Sequence, residues 1–339
     1  MKEPVVITEG EYAKGEKIFG EAAGRIEWKV TPQSEKSAAD AVAASGARVA
    51  VVGIEKYNGP LYEALQANAK GKPALIVRYG VGYDSINLEK CREHNVILAI
   101  TAGTLDRSVA EHTLALMLAC ARNVPFLDTE VRGGRFTGRQ GFELHGKTLG
   151  LVGLGHIGKH VARMAAFGFG MKIAVYDVLP LEKAAAAENL GTEDFKTRYG
   201  IAEYHTEYGP CAAGADILSL HMPVLPATIK FINKERLGRL KAGALFINTS
   251  RGRLVDEADL YDALLSGRLA GAGLDVFERE PYVPVSPDKD LRTLPNVLLT
   301  SHTASNTREA NGAMQRVIVE NIDAYAAGDL ARLTAVKNT

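Results

Sequence analysis

The sequence predicts an α/β protein built on two doubly wound parallel sheets, and three observations predict it. The first is a strand–turn–helix–strand run. Thr148 to Val152 is a short apolar strand that empties into Gly153-Leu-Gly155-His-Ile-Gly158; a helical pattern follows, and a second strand runs from Lys172 to Asp177. The second is a regular alternation of strand and helix before residue 100, which implies a parallel sheet in a domain of its own. The third is the return of apolar strands after residue 209, at 216–220, 244–249, 269–275 and 296–300, with helical patterns between most of them.

In the central run the three glycines serve the tight turn, the close approach of backbone to a pyrophosphate, and the packing of helix on strand. The helix start offers unpaired N–H groups and the positive end of its dipole to phosphates. Asp177 closes the second strand, where a carboxylate accepts hydrogen bonds from ribose hydroxyls. Its charge repels a 2′-phosphate, and Val178-Leu179 supply no arginine to accept one, so NAD is favoured over NADP.

Taken in order, Pro4 to Thr8 is a strand, followed by a polar, irregular stretch. A helix over 38–45 ends at Gly46, and Arg48 to Gly53 is a buried strand by its continuous apolar run. Leu61 to Ala69 is helical, and the strand Ala74 to Arg78 empties into Tyr79-Gly-Val-Gly-Tyr-Asp84. Gly80-Val81-Gly82 is either a turn needing φ > 0 or a concavity of backbone N–H groups that holds an anion. A helix over 86–94 and a strand over 96–100 follow, then a strongly helical segment over 106–122. Residues 123–146, rich in Gly and Arg, read as an arm. Residues 181–209 read as a surface elaboration, because loops of that length are functional or peripheral. The final helix spans 308–327.

Composition narrows the function classes. Lys+Arg and Asp+Glu are both 40 in 339 residues, so nothing calls for nucleic acid, an anionic membrane or an acidic partner. Cys91, Cys120 and Cys211 are odd in number and widely spaced, which argues against a disulfide framework and for a reducing compartment; none has zinc-site spacing, and no metal is expected. The N-terminal apolar run is too short for a signal peptide, and no segment is long enough to span a membrane. A cytoplasmic protein is the simplest expectation.

Open parallel sheets bind ligands beyond the carboxyl ends of their strands. Four polar residues follow strands there: His221, Arg251, Glu280 and His302. The planar fork of Arg251 suits a carboxylate, which Lys cannot match. His302 can give or take the proton that accompanies hydride transfer. An acid in Glu278-Arg-Glu280-Pro281 would favour its imidazolium, and spacing alone does not separate Glu278 from Glu280. Tyr57, just past the strand ending at Gly53, is a candidate contact for a substrate side chain.

These motifs together resemble the D-isomer-specific 2-hydroxyacid dehydrogenase family. The resemblance covers residues 45 to 330. It rests on Gly80-Val-Gly-Tyr-Asp84, Val109-Ala-Glu111, Gly150-Leu-Val-Gly-Leu-Gly-His-Ile-Gly158, His221-Met-Pro223, Asn248-Thr-Ser-Arg-Gly252, Gly273-Leu-Asp-Val-Phe-Glu-Arg-Glu-Pro281 and Ser301-His302. It implies a flavodoxin-like substrate-binding domain (1–104 with 304–339) around an inserted Rossmann domain (105–303), with the active site in the cleft between them. It assigns Arg251 to the substrate carboxylate and carbonyl, His302 to acid/base work and Glu280, the acid before the proline, to His302. Val81 and Gly82 would hold the carboxylate through N–H groups. Gly153, Gly155, His156, Ile157 and Gly158 would form the pyrophosphate turn, and Asp177 would meet the ribose. His221, Thr249, Asp275 and His302 would approach NAD.

The implied reaction is NADH-dependent reduction of a 2-oxo acid to a D-2-hydroxy acid, in a homodimer. The alternative is a C-terminal-binding-protein-like corepressor that senses NAD(H) with little turnover. Formate dehydrogenases would carry Gln at Glu280. Ser301 replaces a usual Pro, Phe136 replaces a common Trp, and the 181–209 stretch is longer than usual by about a dozen residues.

Overall fold

The computed structural model describes residues 2–337. Its chain divides into two compact units, Met1–Leu105 with Asn306–Thr339, and Asp106–Ser305.

The first unit runs β1 (Glu3–Thr8), α1 (Glu9–Glu21), β2 (Ile26–Thr31), α2 (Glu35–Ser45), β3 (Val49–Val52), α3 (Leu61–Ala69), β4 (Ala74–Arg78), α4 (Leu88–Glu93) and β5 (Val96–Ile100). Among the described residues its sheet is five-stranded and parallel, in the order β2-β1-β3-β4-β5. β3 and β4 are buried along their whole length, because helices cover both faces of the sheet and only apolar side chains fit there. Local chemistry sets the ends of α2: the Ser34 hydroxyl accepts the Ser37 amide at 3.1 Å, and Gly46 stops the helix at φ 71°.

The stretch after β1 is not irregular, as its sequence suggests. It forms α1 and the edge strand β2. Helix α1 buries Glu11, Gly15 and Phe19, a stripe that a hydrophobic period does not reveal. β2 buries only Ile26 and Thr31, as an edge strand does.

The second unit contains α5 (Asp106–Ala121), α6 (Val124–Arg132), β6 (Thr148–Val152), α7 (His156–Arg163), β7 (Lys172–Tyr176), α8 (Leu181–Ala186), α9 (Thr192–Tyr199), β8 (Ile201–His205) and α10 (Tyr208–Gly214). It continues with β9 (Ile217–Leu220), α11 (Lys234–Gly238), β10 (Ala244–Asn248), α12 (Glu257–Leu265), β11 (Leu269–Leu274) and β12 (Val297–Leu299). Helix α13 (Arg308–Ala326) returns to the first unit, where Gln315 donates to the carbonyl of Lys14 at 2.6 Å.

The second sheet is parallel, in the order β12-β11-β10-β9-β6-β7-β8. Chain direction across the sheet reverses between β6 and β9, the place where such sheets bind ligands. Residues 181–209 are therefore more than a surface elaboration. They include β8, which pairs with β7 and completes the sheet edge; only Ile201 is buried in it, so it reads as polar. Among the described residues no helix is long and apolar enough to cross a membrane, and no cluster of side chains could hold a metal ion.

Candidate active site

The glycine turn after β6 is shaped by contact. Gly153 has φ 98°, and a Cβ there would stand 2.6 Å from the carbonyl oxygen of His221. The turns after β6 and β9 thus touch at the switch point. At Gly155, the residue before α7, a Cβ would meet nothing within 4 Å. Gly155 is the N-cap of α7, so the first amides of the helix, at His156 and Ile157, follow directly on that open position, and a helix start of this kind suits a phosphate. Asp177 is drawn into the same turn: its carboxylate accepts the Leu154 amide at 2.7 Å and the Leu179 amide at 2.9 Å. Each oxygen keeps a lone pair for a further donor. These residues fit a dinucleotide.

At the far side of β9 the sheet edge carries His302 and Glu280. His302 Nδ1 lies 2.7 Å from Glu280 Oε2. An ionised carboxylate only accepts, so Nδ1 carries the proton and Nε2 is the nitrogen left to exchange one. Nε2 has no hydrogen-bond partner among the described residues. Glu280 Oε1 accepts the Phe277 amide at 3.0 Å, which fixes the carboxylate from behind. Glu278 makes no such contact with His302, so the geometry separates the two acids that spacing left open.

The loop that presents His302 hangs on Asp275, which is fully buried. The Asp275 carboxylate accepts Thr300 Oγ1 at 2.6 Å and the amides of Thr303 and Ala304, each at 2.9 Å. Its carbonyl takes the His302 amide at 2.7 Å, and His302 adopts φ 51°. Burial works to raise the Asp275 carboxyl, but hydrogen bonds from His112, Thr300, Thr303 and Ala304 outweigh it and hold the group below the usual carboxylate range. His112 Nε2 sits 3.1 Å from Thr300 Oγ1 and 3.5 Å from Asp275. The Thr300 proton is committed to Asp275, so His112 donates. Sequence reasoning passed over His112 and Thr300; the signal was their place beside Val109-Ala-Glu111 and Ser301-His302.

Arg251 follows β10 and is half-buried. Its loop is held by Asn248, whose side chain donates to the Arg251 carbonyl and accepts the Ser250 amide, both at 3.0 Å. Ser250 Oγ reaches the Met222 carbonyl at 2.6 Å. Thr249 is buried and meets Thr113 at 2.8 Å; the Thr113 proton goes to the Val109 carbonyl, so Thr249 donates. His221 pairs with Ser219 at 2.9 Å. Burial pushes its imidazole down to about 3, so it is neutral and suited to hydrogen bonding rather than charge.

Gly252, next to Arg251, packs directly on the backbone of Phe277 and Glu278. Beside it, Glu257 opens α12 and accepts the Glu278 amide at 2.5 Å. Burial, together with the charges of Glu278, Asp256 and Glu280, pushes the Glu257 carboxyl up to about 7. A carboxyl raised on folding contributes stability that is complete below its ordinary value of 4.5 and is lost as pH rises through about 7. E257Q cannot ionise. Relative to wild type it should gain on the order of 2 kcal/mol as pH is raised across that window, read as diverging thermal midpoints. Parallel midpoints from acid to neutral pH would refute it.

In the first unit, Val81 and Gly82 follow β4 and are half-buried, and Gly80 before them has φ 136°. Tyr57 is not a surface contact. It is fully buried in the core of that unit, its carbonyl takes the Tyr62 hydroxyl at 2.7 Å, and its own hydroxyl lies 3.5 Å from Glu55. A β-bridge to Ile86 draws it inward, which withdraws it as a contact for a substrate side chain.

An imidazole–carboxylate pair and a glycine turn at a helix start stand on one sheet edge, an arrangement in keeping with a nicotinamide-dependent oxidoreductase. The model of the family described as D-isomer specific 2-hydroxyacid dehydrogenase, NAD binding domain, matches residues 114–304. The chain belongs to the D-isomer specific 2-hydroxyacid dehydrogenase family. It is 37% identical over 271 residues to the glyoxylate reductase of Korarchaeum cryptofilum, covering 77% of this chain and 76% of that one. It is 37% identical over 250 residues to the hydroxypyruvate reductase of Thermotoga maritima, covering 73% and 76%. Against the D-3-phosphoglycerate dehydrogenase of Methanocaldococcus jannaschii it is 37% identical over 262 residues, 77% of this chain but 47% of that longer one. The solved NADPH-dependent glyoxylate/hydroxypyruvate reductase of Sinorhizobium meliloti, in complex with NADP and malonate, superposes with a TM-score of 0.80 at 28% identity, covering 100% of this chain and 98% of that one. The relatives act on 2-hydroxy and 2-oxo acids, and this chain is an oxidoreductase of that kind.

Proposed function

We propose that the protein reduces a small 2-oxo acid, of the glyoxylate or hydroxypyruvate class, to the 2-hydroxy acid with NADH, in the D configuration wherever the product is chiral. The observation that carries this is the 2.7 Å hydrogen bond from His302 to Glu280, which leaves Nε2 to deliver a proton. A bound nicotinamide supplies the hydride to the carbonyl carbon. His302 Nε2 gives its proton to the carbonyl oxygen and ends neutral, while the Glu280 carboxylate holds the imidazolium beforehand. Arg251 binds the substrate carboxylate and polarises the carbonyl, and the Val81 and Gly82 amides also serve the carboxylate. Thr249 and His221 serve the cofactor side, while Asp275, buried beneath, holds the loop that carries His302.

NADH oxidation against a panel of 2-oxo acids tests this, from glyoxylate and pyruvate through branched and aromatic acids to hydroxypyruvate and a phosphorylated acid. Fast turnover of one class supports the proposal. Silence across the panel with NADH bound refutes it and favours a dinucleotide sensor.

Preference for NADH rests on Asp177. NADPH should show a KM at least about tenfold above that of NADH, and D177A should narrow the gap by weakening NADH. Equal KM values in wild type would remove Asp177 as the discriminator. A homodimer in the cytoplasm completes the proposal; Val124, Val131 and Phe136, the last 97% exposed, give the arm the apolar surface that a second copy covers.

A further inference from the structure

Glu257 is a costly residue to keep where it is. Its side chain is buried, and Oε2 has no hydrogen-bond partner among the described residues. The charged groups that act on it offer no relief: Asp256, Glu278 and Glu280 are acidic and Tyr282 is neutral, while Lys230, whose charge reaches Asp256 and Glu278, is bonded to Asp256 at 3.0 Å. Leu or Met would fill the space without burying a carboxyl. Helix capping does not explain it either, because Asp256 already accepts the Ala258 and Asp259 amides of α12.

What Glu257 does hold is one backbone group. Two consecutive amides of the turn after Val276 are fixed by carboxylates: Phe277 N–H by Glu280, and Glu278 N–H by Glu257. The first bond is internal to the turn and sets its shape. The second ties the turn to α12, and so decides where Glu280 sits. We propose that Glu257 is a positioning residue for the His302–Glu280 pair: by holding the Glu278 amide it fixes the turn that aims Glu280 at His302. As a role in catalysis, this rests on the dehydrogenase function proposed above.

The test compares the full-length wild type with E257M, which keeps volume but loses the acceptor, and E257Q, which restores an acceptor. E257M should lower kcat about tenfold with NADH affinity unchanged, since misplacement of a catalytic group acts on turnover. Its KM for the 2-oxo acid should stay within about twofold of wild type, so that the loss falls on kcat. E257Q should recover kcat to within about threefold of wild type. Should E257M fail to fold, E257D, one methylene short of the amide, replaces it with the same expectations.

Hydrogen exchange at the Glu278 amide is read in parallel and needs no turnover: fast in E257M, protected in E257Q and wild type. A wild type that reduces no 2-oxo acid defeats the dehydrogenase proposal, while this exchange still reports on the turn. Wild-type kcat in E257M, equal loss in E257M and E257Q, or a protected Glu278 amide in E257M overturns the inference.

Discussion

H302A should lose about 10²–10⁴ in kcat for 2-oxo acid reduction while binding NADH as wild type does. The imidazole has Nδ1 committed to Glu280 and Nε2 without a hydrogen-bond partner among the described residues. Its backbone position does not depend on the ring, since Asp275 holds the His302, Thr303 and Ala304 amides. Removing the ring therefore leaves the loop in place and deletes only the group proposed to give the proton. Three readings check this: steady-state kcat, NADH fluorescence on binding, and the thermal midpoint. Near-normal kcat would remove His302 from the mechanism. A large fall in the midpoint would show that the loop needs the ring, contrary to the geometry.

G252A should be the most damaging single methyl in the second unit. The added Cβ would overlap the carbonyl carbon and oxygen of Phe277 and the amide nitrogen of Glu278, all backbone atoms that cannot swing aside. Overpacking of this kind costs about 2–3 kcal/mol, a fall of roughly 5–10 °C in midpoint for a unit of this size. Activity should fall further than stability, because the methyl pushes the Arg251 loop away from the turn that carries Glu280. G20A is the matched control: Gly20 lies in α1, a Cβ there meets nothing within 4 Å, and the change should be neutral or gain about 0.5–1 kcal/mol. Equal midpoints for the two variants would defeat the packing argument.

The legible parts of the protein were those whose physics is local. The turn Gly153 to Gly158 reads directly because each glycine answers a steric demand within a few residues of itself. The buried strands β3, β4 and β10 read as apolar runs because both faces of a parallel sheet are covered. Elements with a weak apolar signal were missed or misjudged. Helix α1 buries a glutamate and a glycine, and β2 and β8 are edge strands, so their residues look like loop. Tyr57 failed for a related reason: a residue just beyond a strand can turn inward, and a bridge to Ile86 decides which way it goes.

The sequence by itself determined the α/β class, and it offered Arg251, His302 and an acid at Glu278 or Glu280, because strand ends in a parallel sheet converge on one edge and the residue types declare their chemistry; resemblance to the family chose Glu280. Only the tertiary structure decided what holds them in place. It separated Glu280 from Glu278 by a 2.7 Å contact with His302, and placed Asp275, Thr300 and His112 behind the histidine loop. It also set Glu257 and Gly252 against the turn at Phe277–Glu278. Those contacts join residues up to 188 positions apart. They depend on distances of a few ångströms between separate loops, and no local pattern in a chain carries that information.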